Sequence, residues 1–443
     1  MKTTFCWVVG ILAATWFLFG CQDIESQAAK PKPCNCKKTF TIQKCGDEKG
    51  KTKTITTSYN CRQLVVTFKG KLHPEGEKYL KDKGFHKVKS CPCAPELQLW
   101  ENSSDQSLDL IGVITGGNPP PDIVGGLALN IEIDLPDRVK FDSFQTNADF
   151  DTSQWQKQSS PVRVAIIDSG VDAGNSYLSG FLVSNASACG NVLAFPYGIN
   201  MLDFSQPPFD EHGHGTMVNG VLAGIPEFAI GQPLQKKSPV ELLNIKFTSG
   251  HSKSGSLFDA VCGAYYAIQQ GAVVIYASCG YYDTVPPAMM DPLLTTMGDD
   301  VVMVAGMGND ELDLTGDKKF WPAAFAETHS NVIAVGALNK NQDALATFSN
   351  RADTPRMTLT AWGEDIVSAH LTTGTDKRVL AMDSGTSYAT PMVSRSLAFM
   401  IDKQSAPASA LKNHLVDKAS DNVPGANGQP FKKLEATTAI SDW

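Results

Sequence analysis

No segment of the 443-residue chain repeats another, and no two of its 11 cysteines have the two-residue separation usual in zinc and dithiol sites. Charge is scarce, at 19% against 42% hydrophobic residues, a balance that excludes a mainly disordered or collagen-like chain. A comfortably long apolar run is also missing. The uncharged stretch at residues 3–20 comes nearest, but a spanning helix needs roughly 20 predominantly apolar residues. With Lys2 before it and no charge until Asp23, that stretch reads as a signal peptide over residues 1–20. The chain is too long for one ordinary domain, so two or three are expected.

The charge that is present lies unevenly. Net charge is −8, yet residues 30–93 hold 15 Lys and 1 Arg against 2 Asp and 3 Glu, which leaves −19 on the remainder. A basic module joined to an acidic one is implied. Residues 21–33 have the composition of a tether, and Leu18-Phe19-Gly20-Cys21 before them resembles the lipobox of bacterial lipoproteins, with Cys21 as the acylated residue. Residues 34–95 form the basic module, with Cys34, Cys36, Cys45, Cys61, Cys91 and Cys93. Alternating runs at 39–43 and 62–68 and a run at 53–57 make it β-rich, and residues 46–50 supply a turn. So small a unit needs staples, which an exported compartment permits as disulfides, and the pairing stays open. Its lysines are expected on a solvated face or against anionic lipid or polysaccharide. Residues 96–154 read as a linker with accessory strands, punctuated by Gly116-Gly117-Asn118-Pro119-Pro120-Pro121, with one alternating strand at 127–135.

From residue 155 to 443 short apolar runs at 163–167, 242–247, 273–277, 301–305 and 332–335 alternate with helical segments at 256–270, 387–403 and 408–418. Strands apolar on both faces imply a parallel sheet with helices on both sides, a three-layer α/β/α fold. Ligands of such sheets bind at the carboxyl ends of the strands. Three motifs stand where runs stop. Val164-Ala165-Ile166-Ile167 delivers Asp168 into a turn at Ser169-Gly170. Asp210-Glu211-His212-Gly213-His214-Gly215-Thr216 leads an apolar helix. Asp383-Ser384-Gly385-Thr386-Ser387 opens another, with Pro391 expected in its first turn. Ala389 excludes the Gly-x-Ser-x-Gly elbow of α/β-hydrolases, and Thr216 and Met217 break the His-x-His-x-Asp-His pattern of metallo-β-lactamase-like hydrolases.

Together Asp168-Ser169-Gly170, His214-Gly215-Thr216 and Gly385-Thr386-Ser387-Tyr388-Ala389-Thr390-Pro391 resemble the three signatures of the subtilisin-like serine peptidases, from about residue 155 to 419. Ala305-Gly306-Met307-Gly308-Asn309, Trp321-Pro322-Ala323 and Phe348-Ser349-Asn350 resemble further family segments. The resemblance implies a serine endopeptidase with Ser387 as nucleophile, His214 as base, Asp168 as its orienting acid and Asn309 as oxyanion donor. It also implies that Ser278-Cys279-Gly280 binds the substrate backbone as an added strand, with Cys279 filling the wall as a small hydrophobe.

Departures shape the remaining expectations. No inhibitory propeptide is recognisable between Gln22 and Ser160, whose place the cysteine-rich block is suited to take. Residues 224–231 offer only Glu227 to a calcium ion, so no metal and no cofactor is expected. Cys189 and Cys262 are read either as one disulfide or as two buried thiols. Protein or peptide substrates and a lipid-anchored place in the cell envelope are expected, and no nucleic acid partner. The alternative is a catalytically silent protease fold used for binding at the cell surface.

Overall fold

The computed structural model describes residues 35–45, 50–69, 74–102, 124–135, 142–144, 156–184, 186–187, 189, 195–225, 237–250, 253–377, 379–425 and 430–443. The leader, Cys21, the tether, Cys34, the linker at 116–121 and the loop at 226–231 lie outside the described residues. Among the described residues no helix is long and apolar enough to cross a membrane.

The basic module is a sheet in which β1 (Asn35–Gln43) pairs antiparallel with β2 (Thr52–Phe68). β3 (Phe85–Ser90), β4 (Leu97–Asn102) and β5 (Val124–Asp134) continue it, in the order β5-β2-β4-β3. Leu80 of the helix Pro74–Asp82 packs with Leu64, Val66, Phe68, Phe85 and Trp100 on one face. The module expected to stop at residue 95 therefore runs on, because β4 and β5, both in the span read as a linker with accessory strands, are inner strands of its sheet. Beyond β5 the sheet gains β10 (Ser254–Ser256), from far along the chain.

The other part is the expected three-layer fold. β7 (Gln156–Asp168), β8 (Gly198–Asn200), β9 (Lys237–Lys246), β11 (Val274–Ala277), β13 (Val302–Gly306), β15 (Val332–Leu338) and β16 (Leu359–Trp362) are joined by β19 (Ser420–Val423) and β20 (Phe431–Lys433). Their order is β19-β20-β16-β15-β13-β11-β7-β9-β8, and every neighbouring pair is parallel except β19 and β20. Small ribbons flank it, one of β12 (Tyr281–Asp283) with β14 (Lys319–Trp321), the other of β6 (Asp142–Phe144), β17 (Ile366–Ala369) and β18 (Leu380–Asp383).

Alternation along β7 explains why its run is apolar throughout. Val162, Val164 and Ile166 join the core beneath the helices His214–Ala223, Thr386–Lys403 and Ala408–Lys418. Ala165 and Ile167 enter the opposite core, which holds the helices Leu257–Gln269 and Met290–Met297. Ile131 and Ile133 of β5 belong to that second core, so the module's sheet lies on those two helices as a further layer.

Cysteine pairing departs from the expectation of staples inside the module. Among the described residues only Cys36–Cys61 is internal; Cys91–Cys262 and Cys93–Cys189 cross to the α/β/α fold. Cys189 and Cys262 are thus neither paired together nor free, while Cys45 and Cys279 are buried thiols. The lysines depart too. Lys38, Lys44, Lys53 and Lys89 pair with Asp283 (2.5 Å), Glu311 (3.1 Å), Asp310 (2.7 Å) and Asp259 (2.7 Å), so these four face acidic groups of the same chain.

Candidate active site

Asp168 is the last residue of β7, a central strand, and is wholly buried. His214 is the first residue of its helix, and its Nδ1 lies 2.8 Å from Oδ1 and 2.9 Å from Oδ2 of Asp168. A carboxylate oxygen accepts, so Nδ1 carries the proton and Nε2 is left as the base. The Asp168 carboxylate also takes the Ser169 N–H at 2.7 Å. The glycine after His214 is required by close approach. A Cβ on Gly215 would stand 2.2 Å from the Gly170 carbonyl oxygen, so the two motif turns could not meet.

Beneath them lies a carboxylate to which sequence reasoning gave no role. Asp210 is wholly buried and accepts from the amides of His212, Gly213 and Thr216, each at 2.9 Å, from the Thr216 hydroxyl at 2.6 Å and from Ser169 Oγ at 2.9 Å. Burial pushes its pKa up, but these donors outweigh burial and hold it below the ordinary value. Asp210 thereby fixes the loop entering the His214 helix. Its only signal in the sequence is its place four residues before His214.

Ser387 is the second residue of the helix Thr386–Lys403, 1% exposed, and its Oγ has no hydrogen-bond partner among the described residues. The neighbouring Tyr388 ring lies 5.7 Å from the His214 ring, and its hydroxyl donates to Asp383 at 2.9 Å. Pro391 falls inside this helix, not in the first turn as expected. Its missing N–H is the one that would have reached the Ser387 carbonyl four residues back. The Tyr276 hydroxyl donates to that carbonyl instead, at 3.1 Å. Burial, and then the Asp168 charge, push the Tyr276 pKa well above the ordinary range, so it remains a donor.

Asn309 follows the end of β13. Its Oδ1 accepts from Thr386 N at 2.8 Å and Thr386 Oγ1 at 2.9 Å, which turns Nδ2 the other way. A Cβ on Gly385 would lie 3.0 Å from that Nδ2 and 3.7 Å from Ser387 N, so two N–H donors border one small space beside the serine. Ser278 and Cys279 are buried after β11, and burial raises the Cys279 thiol well above its ordinary range. Gly280 is already paired: Asp134 N donates to its carbonyl at 3.4 Å, and its amide donates to the Asp134 carbonyl at 3.2 Å. Beside Gly280 and Asn309 a cavity of about 560 Å³ is bordered by Tyr282, Asp310, Phe320 and Thr56. Among the described residues no group of three His, Cys, Asp or Glu could hold a metal ion.

Residues 159–433 match the model of the subtilase family. The chain belongs to that family. Halolysin of Haloferax mediterranei is 31% identical over 304 residues, 67% of this chain and 52% of halolysin. The major intracellular serine protease of Bacillus subtilis is 26% identical over 54% of this chain and 68% of its own length. The subtilase thus spans about half the length of halolysin. Among solved structures, fervidolysin of Fervidobacterium pennivorans, titled a keratinolytic enzyme related to subtilisin, shares the fold with a TM-score of 0.59 at 18% identity, over 86% of this chain and 61% of that one. The epidermin leader peptide processing serine protease of Staphylococcus aureus shares it with a TM-score of 0.59 at 16% identity, over 86% of this chain and 98% of that one.

Proposed function

We propose that this subtilase is a serine endopeptidase, with residues 155–443 as its peptidase domain, acting on protein or peptide substrates through an acyl-enzyme. The buried Asp168–His214 pair, with the His214 ring 5.7 Å from that of Tyr388, the residue next to a buried serine whose hydroxyl has no partner among the described residues, carries the reading. Ser387 Oγ attacks the scissile carbonyl while His214 Nε2 takes its proton. The same imidazolium returns that proton to the leaving amine, and a water repeats the sequence to release the acyl group. Asp168 keeps Nδ1 protonated and stabilises the imidazolium. Asn309 Nδ2 and Ser387 N–H hold the oxyanion, and Ser278-Cys279-Gly280 holds the substrate backbone.

Ser387→Ala is expected to abolish both fluorophosphonate labelling and peptide cleavage, measured under whatever condition activates the wild type. Undiminished cleavage by that variant overturns the assignment. We further propose acylation of Cys21 and residence in the cell envelope, on the sequence Leu18-Phe19-Gly20-Cys21. Incorporation of a labelled fatty acid should be lost in Cys21→Ala, and retention in that variant contradicts it.

A further inference from the structure

We propose that Cys91–Cys262 and Cys93–Cys189 lock the β1–β5 module over the substrate cleft, in the place that the subtilisin resemblance gives to an inhibitory propeptide, and that a dithiol reductant opens the lock. The proposal rests on the peptidase reading above.

Occupancy comes first. β5 lies between two edges of the cleft. On one side it pairs antiparallel with β10, Asp134 opposite Ser254 and Ile133 opposite Gly255, and Leu135 N donates to the Lys253 carbonyl at 3.1 Å. On the other it exchanges two backbone hydrogen bonds with Gly280. An added substrate strand needs the same amide and carbonyl of Gly280, so it and β5 exclude one another.

The module also grips the residues just past Asn309. Cys45 N donates to the Glu311 carbonyl at 2.9 Å, Asp313 N to the Gln43 carbonyl at 2.8 Å, and Thr57 Oγ1 to the Tyr282 carbonyl at 2.7 Å. The Lys44–Glu311 and Lys53–Asp310 pairs lie on the same rim, though partly exposed pairs of this kind add little to the attachment.

Covalent attachment decides how the module leaves. The two crossing bridges join positions 171 and 96 residues apart, one member of each pair in the module and the other in the α/β/α fold. Cutting the chain anywhere within residues 136–155 therefore frees no inhibitor. β5 stays beside the cleft at an effective concentration on the order of millimolar or higher. Release needs both bridges opened. Cys93 is only partly buried, whereas Cys91, Cys189 and Cys262 are at most 1% exposed, so attack begins at the Cys93 sulfur. A thiolate of the dithiol bonds to Cys93 Sγ and expels the Cys189 thiolate, which takes up a proton. The second thiol of the reductant then displaces Cys93. The dithiol ends as a cyclic disulfide, and two electrons and two protons reside on Cys93 and Cys189. Cys91–Cys262 follows by the same exchange. Cys36–Cys61 lies wholly inside the module, so its reduction detaches nothing.

The test uses the purified full chain, a fluorogenic peptide library and a fluorophosphonate probe, with and without dithiothreitol. Reductant is expected to raise peptide turnover and Ser387 labelling at least tenfold. Cys91→Ser/Cys93→Ser should reach the reduced rate without it, and Cys36→Ser/Cys61→Ser should keep the requirement. Equal and measurable turnover by unreduced and reduced wild type, or a continued reductant requirement in Cys91→Ser/Cys93→Ser, overturns the proposal. Should that variant fail to fold, hydrogen exchange on the wild type decides: the Gly280, Gly255 and Leu135 amides should be protected before reduction and exposed after it. Unchanged protection also overturns the lock. If these amides open on reduction while no condition yields labelling or turnover, the lock stands and the peptidase reading falls.

Discussion

Asp210 stabilises a loop, whereas Asn309 is proposed to stabilise a charge that exists only during reaction. Asn309→Ala is expected to lower kcat by about 100- to 1000-fold with a much smaller change in KM, measured on the activated enzyme; that magnitude is the one known for subtilisin itself. Asp210→Asn sets an amide donor against donors already in place and should cost about 3 kcal/mol in urea unfolding at neutral pH. The pH dependence has a definite sign. Because the folded pKa of Asp210 lies below its ordinary value of 3.8, its contribution is complete above about pH 4 and is lost as acid protonates first the unfolded chain and then the folded one. Stability plotted against pH should therefore fall less steeply below pH 4 in Asp210→Asn than in the wild type.

Helices and strands bring these residues together, and the helix that carries Ser387 contains a backbone defect that its neighbour repairs. Tyr276→Phe leaves the Ser387 carbonyl without the donor that Pro391 cannot supply, which should cost roughly 1–3 kcal/mol of stability by urea unfolding. This repair was not legible in the sequence, because it joins a strand to a helix 111 residues away. The parallel strands were legible. Val164-Ala165-Ile166-Ile167 is apolar at every position because each alternate residue enters a different buried layer. The motifs around Asp168, His214 and Ser387 were legible for a related reason: turns, glycines and helix starts are local chemistry. β5 was read as an accessory strand of a linker and β4 was not singled out at all, since a period-two pattern marks a strand without naming its neighbour. Asp210 escaped for want of a local mark, one carboxylate among several in a charged loop.

Across the whole molecule, the separation of charge noticed in the composition is resolved by contact between its two parts. Lysines of β1, β2 and β3 meet carboxylates of the α/β/α fold, but the backbone pairing and the crossing bridges outlast salt. Raising sodium chloride to about 1 M should therefore leave the Gly280 amide protected from hydrogen exchange, and loss of protection would make the ion pairs the main attachment. The cysteines show the limit of reading a chain in pieces. Cys91 and Cys93 sit inside a cluster that invites internal pairing, yet their partners lie at 262 and 189, positions known only once the module is seated on the helices Leu257–Gln269 and Met290–Met297.

If Gly280 takes the substrate strand as proposed, the antiparallel register there also governs what this subtilase can digest. A chain bound there as a strand must give its own backbone donors and acceptors to the enzyme over several residues, so a segment already committed to a helix or an inner strand is refractory. Folded proteins are then cut at exposed loops, or only as fast as they open locally. For such substrates the clock is set by the victim's stability and not by the enzyme's chemistry.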